Sequence, residues 1–179
     1  MHKKNKNILN KKNNWLTIKL KSYKMEGKGK MTPLEELLAR QELKALVDSY
    51  ANESDRNNQD FYVNVFTEDC HVRVYFNNKL GMDLKNVHDL IKAYKGFGAA
   101  KESFHMNGQQ YVEFQDFEHA TGTCYALAHL VNEKDGKDML TVHGVRYYDK
   151  YVKKDGKWRI AEREQYFVFS DTRELKKEN

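Results

Sequence analysis

The chain has 179 residues, enough for one ordinary domain, and its formal charge of +5 is unevenly placed: residues 1–30 hold ten Lys, no Arg and one acid, Glu26, and carry +9, while the other 149 residues carry −4. A basic sequence argues for nucleic acid only where the folded surface bears the charge, so no nucleic-acid partner is expected. No apolar run reaches the ~18 residues of a membrane span, no apolar signal region follows the Lys-rich start, and Cys70 and Cys124 lack metal or redox spacing, which points to a soluble cytoplasmic protein with reduced thiols, no metal and no membrane partner.

Residues 1–30, rich in Lys and Asn with little to bury, read as a disordered tail. An upstream extension of a protein that starts naturally at Met25 or Met31 explains them more simply than a basic arm for an acidic partner. Folded sequence begins at Thr32-Pro33-Leu34-Glu35, a capping box with proline at the first helical position. The apolar stripe Leu34, Leu37, Leu38, Leu43, Leu46, Val47, Tyr50 predicts a helix to about Glu53. Asn52 to Asn58 is polar and turn-prone, and Asp55 lies within it. A short second helix over Gln59 to Phe66 is expected to bury Phe61, Val65 and Phe66. His71 to Phe76 alternates as a half-buried strand, with Val72, Val74 and Phe76 inward, and Asn77-Asn78 turns the chain. A third helix spans about Leu84 to Phe97, with Val87, Leu90, Ile91 and Tyr94 on its inner face.

Ser103-Phe104-His105-Met106-Asn107-Gly108 then joins the helical half to a run of long strands. These are Gln109 to Gln115, His119 to Asn132, Met139 to Val152 and Trp158 to Phe169. Two Asp-Gly turns, Asp135-Gly136 and Asp155-Gly156, connect the last three as an antiparallel meander. Helices followed by such a meander give an α+β domain over residues 31–172, with a polar C-terminal tail at 173–179.

The site candidates start from His105, an imidazole at the junction of the two halves. Its unperturbed pKa of about 6.5 suits a general base, and Asp55 lies upstream as a carboxylate that could orient the ring. Tyr50 either packs the core or joins this pair; five helical residues turn through about 500°, so Tyr50 and Asp55 do not share a face unless the helix unwinds between them. Tyr125 and His129 on one strand, His143 on the next and Arg163 on the last are candidates for substrate contact. His71, His88 and His119 are expected to be exposed. Tyr147-Tyr148 and Tyr166 to Phe169 are expected to pack the core, a pocket wall or a dimer face.

Four stretches in this order carry a resemblance: Leu46 to Asp55 with Tyr50 five residues before Asp55; Phe66-Thr67-Glu68-Asp69-Cys70; Ser103-Phe104-His105; and Gly156-Lys157-Trp158-Arg159-Ile160. Over about residues 32–172 the chain resembles the SnoaL-like branch of the nuclear transport factor 2-like superfamily, in particular its dehydratases of the bile-acid 7α-dehydratase and scytalone dehydratase type. The resemblance implies a cone-shaped α+β barrel, in which three N-terminal helices pack on a strongly curved, mostly antiparallel sheet around a pocket. It implies a cofactor-independent lyase that uses an Asp–His dyad, Asp55 and His105, with Tyr50 beside it. It also implies that Arg163 and His129 contact the substrate. The expected partner is a small apolar ring-containing substrate, and the expected assembly is a homodimer or homotrimer with the open sheet face covered. The fold also allows a ketosteroid-isomerase or polyketide-cyclase type isomerase, or a non-catalytic ligand-binding domain.

Overall fold

The computed structural model describes residues 31–176. The disordered tail expected at 1–30 and the end of the tail expected at 173–179 lie outside these. The first helix, α1, runs Pro33–Asp55. The capping box closes its start: Thr32 Oγ1 accepts from the Glu35 backbone N–H at 3.3 Å, and Glu35 Oε2 accepts from the Thr32 N–H at 2.8 Å. The helix passes through the polar stretch where a break was expected, because the polar side chains bond the helix end. Ser54 Oγ donates to the Tyr50 carbonyl at 2.7 Å, Asn58 Nδ2 to Glu53 Oε2 at 2.7 Å, and the Asn58 N–H to the Glu53 carbonyl at 2.9 Å. Asn57, at φ 55°, then turns the chain away, a conformation asparagine tolerates.

The buried stripe of α1 is Ala39, Leu43, Val47, Tyr50 and Ala51. Leu34, Leu37 and Leu38, expected in that stripe, are exposed. At about 100° per residue, Leu34 and Leu37 fall roughly opposite the line that Ala39, Leu43 and Val47 continue. A tight 3-10 helix follows at Gln59–Asn64 and buries Tyr62; of the residues expected to be buried here, Val65 and Phe66 are, just beyond its end, and Phe61 packs half-buried against the core. Strand β1 begins earlier than expected, spanning Phe66–Phe76, so Thr67 to Asp69 belong to the sheet. Strand β2, Lys79–Leu84, was missing from the sequence reading. It is a short edge strand in which Leu80, Met82 and Leu84 alternate with Lys79, Gly81 and Asp83, paired to β1 across a turn in which Asn77 and Asn78 both take positive φ. Helix α2, Val87–Gly96, starts at an Asn86 cap and buries Val87, Leu90 and Ile91.

The remaining strands are β3 (Glu102–Phe114), β4 (His119–Lys134), β5 (Lys137–Lys154) and β6 (Lys157–Glu174). The last runs five residues past its expected end at Phe169, into the stretch read as tail. One six-stranded sheet results, ordered β2-β1-β6-β5-β4-β3, antiparallel except where β1 lies parallel to β6. The protein is therefore α+β, with helices against a mostly antiparallel, curved open sheet. Helix α1 packs mainly on β3, and α2 on β1 and the 3-10 helix. Between them lies a core that includes Leu43, Val47, Val65, Phe66, Val72 and Ile160. Cys70 and Cys124 are free within this core, and burial pushes each thiol up to about 11, which leaves them unreactive. No helix among the described residues is long and apolar enough to cross a membrane.

Candidate active site

Helix α1 and strand β3 run side by side, and side chains fix their register at four points. Arg40 Nη1 donates to the Val112 carbonyl at 3.0 Å, and Gln110 Nε2 to the Leu43 carbonyl at 3.4 Å. Asn107 Nδ2 donates to the Val47 carbonyl at 2.9 Å. The fourth point is Asp55 on His105. A bulge makes this possible: Asn107 pairs with Ala126 and Gln110 with Cys124, so β3 carries an extra residue there and both amides face α1.

Asp55 is the last helical residue and commits both carboxylate oxygens to His105. Oδ2 accepts from the His105 backbone N–H at 2.9 Å, and Oδ1 lies 2.6 Å from His105 Nδ1. Ser103 Oγ donates to the Asp55 carbonyl at 3.3 Å. A carboxylate only accepts, so Nδ1 carries the ring proton and Nε2 is left as the basic nitrogen. The two-point grip fixes both the tautomer and the ring's orientation.

Asp55 and His105 lie in the wall of a cavity of about 390 Å³, a size suited to a small organic molecule. Val74, Met82, Leu130, Val145 and Phe167 give it an apolar lining. Its floor is phenolic: Tyr50, Tyr62, Tyr94 and Tyr147, with Gln165 among them. Tyr94 donates to Gln165 Oε1 at 2.8 Å, which leaves the amide nitrogen free to act as a donor. Tyr62 shares a 2.9 Å hydrogen bond with Ser54, and burial raises its pKa, as it does for Tyr94 and Tyr147, so these phenols stay neutral donors.

Of the expected site residues, Tyr50, Asp55, His105 and His143 line this cavity. Tyr50 and Asp55 enter it from different sides of an intact helix. Tyr125, His129 and Arg163 do not line it. Ala128 and Leu130 point inward from β4, so by alternation Tyr125 and His129 point to the outer face. There His129 packs on Phe104, with ring centroids 5.8 Å apart, and Arg146 lies over Tyr125 at 5.1 Å. Arg163 is on the inward side of β6 but beneath the floor, 1% exposed. Its Nε and Nη2 bond both oxygens of Asp149 at 2.7 and 2.8 Å, and Tyr151 donates to the same carboxylate at 2.9 Å. The guanidinium lies 4.1 Å from the Tyr147 ring centroid and 4.9 Å from that of Tyr50. It supports the floor from behind.

Sequence reasoning missed Gln165 and Asn107. The signal for Gln165 was a polar residue at an inward position of a strand between Arg163 and Phe167; for Asn107 there was none, because the bulge sets its direction. Among the described residues, no group of three or more His, Cys, Asp or Glu side chains is arranged to hold a metal ion.

The SnoaL-like domain family matches residues 35–164 of the chain. No curated protein matches it. A similar solved structure is that of a candidate scytalone dehydratase from Novosphingobium aromaticivorans DSM 12444, 20% identical over 81% of this chain and 94% of that one, with a TM-score of 0.70. Another is hexachlorocyclohexane dehydrochlorinase LinA-type3 from Novosphingobium barchaimii LL02, 14% identical over 80% of this chain and 94% of that one, with a TM-score of 0.65. A third is Rv3472 of Mycobacterium tuberculosis, a protein of unknown function, 22% identical over 76% of each chain, with a TM-score of 0.63. At these identities the likeness extends to the fold alone.

Proposed function

Because the chain belongs to the SnoaL-like domain family, we propose that it is a cofactor-independent lyase of the dehydratase kind, acting on a small apolar ring-containing substrate. The observation that carries this reading is the grip of Asp55 on both the backbone and the ring of His105 at the wall of the cavity. A module that only binds an apolar ligand has no need of an imidazole with its tautomer fixed by a carboxylate. Two of the similar folds bear the names of eliminating enzymes, which agrees with this reading.

In the proposed reaction His105 Nε2 takes a proton from a carbon next to a carbonyl, and Asp55 stabilises the imidazolium that forms. The negative charge moves to the carbonyl oxygen, where Tyr50, Tyr147 and Gln165 serve as donors. Loss of the β-oxygen then forms the double bond. An isomerase of the same fold begins with the same proton abstraction, and product analysis separates the two.

The test is turnover of a panel of cyclic β-hydroxy ketones, followed by the absorbance of the conjugated product. His105→Asn should abolish turnover while ligand affinity, read by calorimetry, persists. Turnover unchanged in H105N removes the base from the mechanism. We also read the protein as a cytoplasmic homodimer or homotrimer. The two free thiols support the first, and the exposed Phe104, Met106, Tyr125 and Val168 on the outer sheet face support the second. A monomer mass by light scattering would overturn the assembly.

A further inference from the structure

The register of the sheet sets four residues in one row on its cavity side. His105 of β3 pairs with Ala128 of β4, Ala128 pairs with His143 of β5, and His143 pairs with Ser170 of β6. Neighbouring strands lie about 4.8 Å apart, so the two histidine backbones stand roughly 10 Å from each other. A concave sheet tilts their rings together, and Ala128 between them is too small to fill the space. His105, Ala128 and His143 all line the cavity.

Each end of the row is anchored. Asp55 holds His105, and Ser170 Oγ lies 2.7 Å from His143 Nδ1. The His143 ring also packs edge-on against Phe167, with centroids 5.0 Å apart. Ser170 reaches the row through a bulge in β6: Val145 pairs with Phe167 but Gly144 with Phe169, so Val168 is an extra residue and the facing of the strand switches beyond it. Gly144 leaves room there for the Phe169 ring, which a Cβ would meet at 2.2 Å and push toward solvent. The chain thus pairs a bulge with a glycine beside the second histidine.

We propose that His143, positioned by Ser170, donates its Nε2–H to the departing oxygen, and that this oxygen sits over Ala128 between the two imidazoles. The proposal rests on the elimination described above. His105 Nε2 takes the C–H proton and the C–H electron pair enters the new double bond. The C–O bond breaks with its pair on oxygen. The oxygen receives the proton from His105 and leaves as water. His143 keeps its own proton throughout and contributes a hydrogen bond to the charge on the leaving oxygen. Burial, and after it the charge of His105, lowers the pKa of His143, which keeps it a neutral donor.

The experiment uses the full chain and two probes. Exchange of the α-hydrogens of 1-indanone in deuterium oxide, followed by proton NMR, reports the base alone, because that ketone has no leaving group. Elimination from 3-hydroxy-1-indanone, followed by absorbance, reports the whole reaction. In His143→Phe the elimination rate should fall about 10²-fold further than the exchange rate, as loss of a single transition-state donor does. His143→Gln, which keeps an N–H, should recover part of that loss. Equal losses in both rates, or no loss in either, would overturn the role of His143 while leaving the base in place. Absence of exchange in the wild type would instead overturn the lyase reading itself, and the donor with it. Long-range proton–nitrogen NMR of the wild type gives a check that needs no variant: His143 should carry its proton on Nε2, and a proton on Nδ1 overturns the proposal.

Discussion

Asp55 shows how much one side chain does here. It ends α1, accepts from the His105 backbone and sets which ring nitrogen is basic. Asp55→Asn keeps the size but adds a donor opposite Nδ1–H, which favours the other tautomer. Turnover of the β-hydroxy ketones should drop about 10²–10⁴-fold, the range general acid–base catalysis supplies. Unfolding midpoints of D55N and wild type, measured together, separate this from a loss of structure. His143 gives a prediction in pH. Its folded-state pKa lies below the ordinary 6.5, through burial and the facing charge of His105. Below that ordinary value the unfolded chain takes up a proton that the folded ring resists, so the contribution of His143 to stability is complete above it and is lost as pH falls. Denaturation midpoints of wild type should therefore decline faster on acidification than those of His143→Phe. Parallel declines would mean that His143 does not titrate in this range. Of the residues named from sequence, Asp55, His105, Tyr50 and His143 reach the cavity, and the first two could be named because they flank the junction of the helical half and the long strands. Tyr125 and His129 do not reach it, because alternation names two faces without saying which is inner.

At the scale of elements, α1 shows the same ambiguity in helical form. Its leucine-rich first turns suggested a stripe, yet Ala39 continues the buried line and Leu37 faces solvent. Leu43→Ala should cost about 2–5 kcal/mol, the range for emptying a fully buried leucine site. Leu37→Ala should stay within about 0.5 kcal/mol, as exposed substitutions do. Urea denaturation of both variants measures the contrast, and similar losses would mean that the N-terminal turns are covered by something. The turns were the most legible elements. Both Asp-Gly pairs take positive φ and close the hairpins β4–β5 and β5–β6 as expected. The edge strand β2 escaped notice although Leu80, Met82 and Leu84 alternate there, because the run is short, is interrupted by Gly81 and ends in a residue read as the start of the third helix.

At the scale of the whole molecule, the floor rests on a buried ion pair. Arg163 and Asp149 bond through two contacts, with Tyr50, Tyr147 and Phe66 around the guanidinium. Arg163→Met leaves the Asp149 charge buried and uncompensated, and should cost about 3–5 kcal/mol. The double change R163M/D149L should recover most of that loss, since an apolar pair of similar volume can replace a buried ion pair. Guanidinium denaturation of the three proteins decides it; a double variant as unstable as the single one would show that the tyrosine cage needs the cation itself. The sequence by itself determined the α+β order, the capped first helix, the hairpins, and a carboxylate and an imidazole at the two sides of one junction. These are local: caps, turns and periodicity act over a few residues, and the residue types are printed in the chain. Only the tertiary structure decided which face of each strand is concave, that Arg163 lies beneath the cavity, and that His105, Ala128, His143 and Ser170 form one row. Facing depends on register across strands far apart in sequence. Two bulges, at Gly108–Gln109 and at Val168, each reverse that facing through a single extra residue.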